Sequence, residues 1–161
     1  MTVVVGYVPT KTGFLAVTEA EREALARGDG VVIVNVVGLA GYTVPTAADQ
    51  RDLDAVAAHL TAHGVPNSLR QVTDEESVAD VILGVAREVN ATLIVLGLHQ
   101  RPHITKRLLG SIAESIVLAS PCPVLIVPDV DEPDERKWFG DVDEPPLPSM
   151  GQLPTRPDAP G

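Results

Sequence analysis

Five short apolar runs recur along the first 128 residues of the chain. They cover residues 2–7, 31–37, 65–73, 91–97 and 122–127, and all except the more polar third run are nearly continuous stretches of aliphatic residues. Strands that are covered by helices on both faces have this continuous apolar pattern. The pattern therefore predicts five buried strands.

Between the runs, apolar residues recur at helical spacing over 11–27, 47–63, 75–90 and 112–119. The second helix is predicted to begin after Thr46 and to stop at Gly64, and the fourth opens with Ser111 and Glu114 at the spacing of a capping box. One apolar face of the third helix is formed by Val78, Ile82, Val85 and Val89. Strands alternating with helices predict an α/β fold, with a parallel sheet and helices on both faces.

In open parallel sheets, ligands bind beyond the carboxyl ends of the strands. The candidate loops are therefore 8–12, 38–46, residue 74 and 98–111. The sequence has no GxxxxGK[ST], GxGxxG or GxSxG motif, and no carboxylate follows the first strand as a phosphoacceptor domain requires. No catalytic nucleophile, base or metal cluster is evident, so at most a slow ATP hydrolase is expected.

Composition changes near Pro128. Residues 129–161 contain seven of the fourteen prolines and nine acidic against three basic residues, whereas residues 1–128 contain 13 acidic and 9 basic residues. We therefore expect one α/β domain over 1–128 and a disordered acidic tail over 129–161. A net charge of -10, a single cysteine, and the lack of a signal sequence or a bilayer-length apolar run favour a cytoplasmic protein that binds neither nucleic acid nor membrane.

The loop 97–111 departs from this acidity. It contains two histidines and three other basic residues, Arg101, Lys106 and Arg107, and no acidic residue. It ends in Gly110-Ser111 before a predicted helix, and a helix N-terminus with an adjacent glycine suits an anion such as phosphate. An ordinary turn at Gly110, with a capping box and solvated basic side chains, explains the same residues equally well.

The pattern Gly97-x2-Gln100-x9-Gly110-Ser111 resembles the G-x2-G-x9-G-[ST] phosphate motif of the universal stress protein family. The segments "VVVGYVPT", "ATLIVLG" and "KRLLGSIAESIVLASPCPVLIV" are also similar to that family, over residues 2–128. The resemblance implies strand order 3-2-1-4-5, which places loops 8–12 and 98–111 on either side of one cleft. Members bind ATP, AMP or cyclic AMP, or bind no nucleotide, and most form dimers.

The resemblance also implies a set of site residues. The nucleotide-binding positions are Val8, Pro9, Thr10, Val36, Gly97, Gln100, Gly110, Ser111 and Ile112, with Lys106 and Arg107 attracting phosphate. Gln100 stands where the motif has glycine, and Val8 stands where the family's "VDGS" turn has the aspartate that holds the ribose. These two departures predict weak ATP binding.

Two interpretations of function remain open. The first is an adenine-nucleotide-binding regulatory or stress-response protein, and the second is a dimeric interaction protein of the same fold that binds no nucleotide. The resemblance implies a homodimer through the edge strand 122–127 in either case. His59 and His63 lie four residues apart on a predicted helix, but without a third ligand in the sequence they are interpreted as exposed histidines, and no metal site is predicted.

Overall fold

The computed structural model describes residues 1–37, 50–73, 77–98 and 109–128, all within one compact unit, Met1–Asp129. Within these residues strands and helices alternate along the chain. The strands are β1 (Thr2–Gly6), β2 (Gly30–Val37), β3 (Asn67–Thr73), β4 (Ala91–Leu98) and β5 (Val124–Pro128), and the helices are α1 (Lys11–Arg27), α2 (Gln50–Ala62), α3 (Val78–Glu88) and α4 (Ser111–Ala119). The predicted tail, 129–161, and the predicted cap Thr46 lie outside the described residues.

The five strands form one parallel sheet in the order β3-β2-β1-β4-β5. This order confirms the predicted α/β fold. The chain first adds strands on one side of β1 and then continues on the other side with β4. The order therefore reverses between β1 and β4, which is where open parallel sheets bind ligands.

Each face of the sheet has its own apolar core, because successive side chains of a strand point to opposite faces. Val3 and Val5 of β1 pack with the buried residues of α1 and α2, whereas Val4 packs with those of α3 and with Ile116 of α4. The predicted apolar face of α3 is confirmed, because its four residues all belong to or pack against this second core.

The helix ends follow local chemistry. Ser77 caps α3, its Oγ accepting from the Asp80 backbone N–H at 3.1 Å, so α3 begins three residues later than predicted. The chain leaves that helix through Asn90, whose φ is 50°. Gly64 lies just beyond α2 with φ 74°, which confirms it as the residue that terminates this helix.

The two edges of the sheet differ. β3 is polar, and its Arg70 Nη1 donates to Glu88 Oε2 at 2.7 Å. This hydrogen bond and the attraction of the opposite charges lower the pKa of the Glu88 carboxyl. β5 is apolar, and each of its residues is only partly buried.

Among the described residues, no helix has both the length and the hydropathy needed to cross a membrane.

Candidate functional site

A cavity of about 320 Å³ opens at the carboxyl end of the sheet, where the strand order reverses. Ligand sites in proteins start at about this volume. The described residues that line it come from the ends of three strands and the starts of two helices: Gly6, Tyr7, Val8, Val34, Val36, Val78, Ile82, Leu96, Gly97, Leu98, Gly110, Ile112 and Ala113.

A buried amide holds the end of β1 in place. Asn35 is fully buried in β2, and its Nδ2 donates to the Tyr7 carbonyl at 3.0 Å. Its Oδ1 accepts from Gln71 Nε2 at 3.1 Å, and the Tyr7 backbone N–H donates to the Val34 carbonyl at 2.8 Å. The wall of the cavity is therefore fixed by a polar residue in an otherwise apolar strand. Asn35 is the one polar residue in "VVIVNVV", which is the signal in the sequence for this role, and it is not among the predicted site residues.

The turn from β1 into α1 is tightly packed. Thr10 is the N-cap of α1, and its Oγ1 accepts from the Gly13 backbone N–H at 3.1 Å. A Cβ on Gly13 would lie 1.8 Å from the Val8 carbonyl oxygen, so only glycine fits there. A Cβ on Gly97 of β4 would likewise lie 2.6 Å from the Thr12 carbonyl oxygen. Gly97 therefore has a packing role that does not require a ligand.

The start of α4 is open by comparison. Gly110 is its N-cap, with φ -67° and ψ 159°, and within the described part of the chain no side-chain hydrogen bond caps the first turn. The predicted capping box of Ser111 and Glu114 is wrong, because Ser111 is already the first helical residue and Gly110 occupies the cap position. A helix leaves its first N–H groups without partners inside the helix. The first turn of α4 therefore has donors available at the cavity, which Gly110, Ile112 and Ala113 line.

The structure brings together only some of the predicted site residues. Val8, Val36, Gly97, Gly110 and Ile112 line the cavity, and Ser111 follows Gly110 as the first residue of α4. Pro9 and Thr10 line a separate shallow depression beside Phe14. Gln100, Lys106 and Arg107 lie outside the described residues.

The described lining of the cavity is mostly aliphatic, and it includes no acidic side chain. Val36 is 5% exposed and Tyr7 is 6% exposed, so the inner wall is rigidly packed. The arrangement is an apolar recess with an uncapped helix N-terminus at its mouth. Such an arrangement is chemically suited to an apolar group that carries an anion.

The sequence profile of the universal stress protein family matches residues 1–128. The chain belongs to the universal stress protein family.

Relatives within the family cover nearly the whole domain. A curated universal stress protein of Mycolicibacterium smegmatis is 32% identical over 125 residues, which is 78% of this chain and 95% of that protein. A universal stress protein of known structure from Archaeoglobus fulgidus has the same fold, with a TM-score of 0.68 and 23% identity over 79% of this chain and 98% of that one.

The crystal structure of a universal stress protein in complex with cAMP matches this chain with a TM-score of 0.62 and 25% identity, covering 79% of this chain and 96% of that one. Adenine-nucleotide binding is therefore found in a protein similar to this one.

Proposed function

We propose that this universal stress protein is a cytoplasmic regulatory or stress-response protein that binds an adenine nucleotide, including ATP, in the cleft between β1 and β4. The observation that carries the proposal is the start of α4, where Gly110 leaves the first turn without a side-chain cap. The N–H groups there and the positive end of the helix dipole favour phosphate.

The glycine at position 110 also supports a ligand. Its φ and ψ are open to any residue, and a Cβ there would meet none of the described residues within 4 Å. Neither backbone conformation nor packing against the described chain requires glycine at this position. Close approach of an anion to the backbone is a reason for glycine at this position, because a side chain would keep the anion away.

The apolar recess supports the other half of the nucleotide. Val36, Val34 and Leu96 form an inner wall of aliphatic side chains, onto which a base can pack. Specific polar contacts to the ribose are scarce, because the described lining has no carboxylate and Val8 occupies the position from which the family's aspartate extends.

The expected affinity for ATP follows from the missing carboxylate contact to the ribose. One hydrogen bond to a charged acceptor contributes roughly 1.5–3 kcal/mol, which is about one to two orders of magnitude in affinity. We therefore expect micromolar or weaker binding that depends more on phosphate than on ribose. Added salt should weaken it, since exposed charges are screened.

Titration calorimetry with ATP, AMP and cyclic AMP tests the proposal. We expect heat of binding for wild type at low salt, and none for the double variant Gly110→Val with Ser111→Ala. Gly84→Val is the matched control, because a Cβ at Gly84 of α3 also meets no described residue within 4 Å and Gly84 does not line the cavity. Circular dichroism of each variant reports whether the fold survives. Absence of heat with all three nucleotides for a folded wild type would contradict the proposal.

The alternative function, a dimeric interaction protein, is favoured by the exposed apolar residues of α4 and β5. Leu118 of α4 is 80% exposed and Val117 is 44% exposed, and the residues of β5, the edge strand that follows α4 in the chain, are only partly buried. Exposed apolar edge strands aggregate unless something covers them. A second copy of this chain, paired through 122–127, would cover this one.

Light scattering on the purified protein tests the dimer. We expect a homodimer for wild type and a monomer when Leu118 and Ile126 are both replaced by lysine. Leu25→Lys is the control, because Leu25 is 54% exposed but belongs to α1, on the other side of the molecule's sheet. A wild-type monomer at micromolar concentration would contradict the dimer without affecting the nucleotide proposal.

A further inference from the structure

Three potential metal ligands, Glu21, His59 and His63, lie close together on α1 and at the end of α2, which pack on the same face of the sheet. Glu21 of α1 lies between His59 and His63, and its Oε2 is 2.6 Å from His59 Nε2 while its Oε1 is 3.0 Å from His63 Nδ1. One ligand atom from each of the three residues lies within 4.8 Å of the other two. The sequence did not indicate Glu21 as a candidate third ligand, because it lies 38 positions from His59 in the sequence and becomes its neighbour only in the fold.

Two features of α2 present the histidines together. His59 belongs to the last turn of the helix, next to the fully buried Leu60. The helix then ends in a Schellman motif, in which the Val65 N–H donates to the Leu60 carbonyl at 2.9 Å and the Gly64 N–H to the Thr61 carbonyl at 3.0 Å. This closing turn places His63 one turn after His59, and the two ring centroids are 4.4 Å apart.

Glu21 is held with comparable firmness. Its side chain is 13% exposed, and its neighbour Ala20 and Ala24 one turn on are fully buried in the core that α2 shares. Phe14 of α1 contacts the His59 ring edge to face, at a centroid distance of 5.7 Å. His63 is 51% exposed, so solvent reaches the cluster from one side.

We propose that Glu21, His59 and His63 bind a divalent transition-metal ion, with Zn²⁺ the preferred ion. Two imidazoles and a carboxylate are ligands that Zn²⁺ uses in sites with three protein ligands and an open position, whereas Ca²⁺ and Mg²⁺ take oxygen ligands. Water would occupy the fourth position, on the exposed side of His63.

The present distances suit a metal after a small adjustment. Ligand atoms on a tetrahedral Zn²⁺ lie about 3.3 Å apart for bonds of about 2.0–2.1 Å. The Glu21 oxygens are closer than this to both rings, at hydrogen-bond distance. To admit an ion, Glu21 Oε2 and His59 Nε2 must separate from 2.6 Å to about 3.3 Å, and the partly exposed His63 must rotate outward by a smaller amount.

The direct test is titration of untagged protein with ZnCl₂ by calorimetry and with CoCl₂ by visible absorption. We expect one ion per chain, cobalt bands typical of nitrogen and oxygen ligands, and a rise in melting temperature with Zn²⁺ that Mg²⁺ does not produce. Glu21→Gln, His59→Gln and His63→Gln should each lower the Zn²⁺ affinity by at least about tenfold. Losing a residue that only orients a metal ligand already lowers metal affinity about 10–100-fold, so losing a ligand itself should cost no less.

Matched variants separate this site from other ligands in the chain. Glu23→Gln changes a carboxylate of the same helix that pairs with Arg27, and it should leave the Zn²⁺ affinity unchanged. The double variant His99→Gln with His103→Gln, which changes the two histidines of loop 97–111, should also leave it unchanged, as should Cys122→Ser, which removes the single cysteine. The proposal is overturned if wild type binds no stoichiometric Zn²⁺, if the three ligand variants bind as tightly as wild type, or if the histidine pair outside the cluster or Cys122 proves necessary. None of these experiments measures nucleotide binding, so a negative result for the metal site leaves the proposed nucleotide site unaffected.

Discussion

Helices α1 and α4 both begin at the carboxyl end of the sheet, but their first turns are built differently. In α1 the Thr10 side chain accepts from the Gly13 N–H, and the preceding turn is packed so closely that a Cβ at Gly13 would strike the Val8 carbonyl oxygen. In α4 the cap is Gly110, no side chain closes the first turn, and a Cβ at Gly110 would enter open space among the described residues.

The difference separates two uses of glycine at one edge of a sheet. Gly13 is needed for packing, and its own N–H is satisfied by the Thr10 side chain. Gly110 is not needed for packing, and its helix leaves donors at the cavity. The open helix N-terminus is therefore the better candidate for an anion site, and the closed one is mainly structural.

The largest expected effect concerns the closed turn. Gly13→Ala should destabilise the protein by more than about 4 kcal/mol or prevent folding, because the backbone itself must move to admit the methyl group. Gly84→Ala, at an exposed position within α3, should instead stabilise by up to about 1 kcal/mol. Urea denaturation followed by circular dichroism measures both. Near-equal stabilities would show that the turn is looser than the structure indicates.

The next effect concerns the open turn. Gly110→Asp supplies the missing cap and places a carboxylate where phosphate is expected. Folding stability should rise by a few tenths of a kcal/mol, while ATP affinity should fall at least about a hundredfold, since like charge replaces the anion site. Denaturation and calorimetry on one preparation give both values. Unchanged ATP affinity would place the phosphate elsewhere, and it would contradict the assignment of the anion site to the first turn of α4.

A third variant restores a contact on the side of α1. Val8→Asp should strengthen ATP binding by about tenfold to a hundredfold, because Val8 lines the cavity and a carboxylate there can accept from ribose hydroxyls. The matched substitution Val8→Asn gives a neutral side chain of the same shape and should gain less. Equal affinities of Val8→Asp and wild type in calorimetry would mean that the ribose does not reach this strand end.

Removal of the α1 cap has a smaller effect. Thr10→Ala should lower the free energy of unfolding by about 1 kcal/mol and should change ATP affinity far less than Gly110→Asp does. Thr10→Ser retains the hydroxyl and should keep most of the stability. A loss of binding for Thr10→Ala as large as that for the α4 variant would instead assign Thr10 a direct contact with the ligand.

The smallest effect is expected from removing residues 129–161. If this acidic segment contributes little burial, the protein ending at Pro128 should keep its melting temperature and its ATP affinity. Differential scanning calorimetry and nucleotide titration compare the two lengths. A large drop in melting temperature would show that the segment, through Trp138 or Phe139, packs on the domain.

The sequence alone determined the order and type of the elements, because buried strands and amphipathic helices have distinct apolar periods and these are written in consecutive residues. It also indicated Gly64 as a helix terminator and Gly110 as a candidate anion contact. Resemblance to the universal stress proteins added the strand order, which local periodicity does not encode.

Tertiary structure decided which residues meet. Only the fold shows that Gly97 faces Thr12, that Asn35 fixes the end of β1, and that Gly110 and not Ser111 occupies the α4 cap position. Only the fold brings Glu21 to His59 and His63. Most of these contacts join residues far apart in sequence. The cap of α4 depends on the exact residue at which the helix begins. Apolar periodicity reports which residues are buried, but not which of them become neighbours across two packed elements.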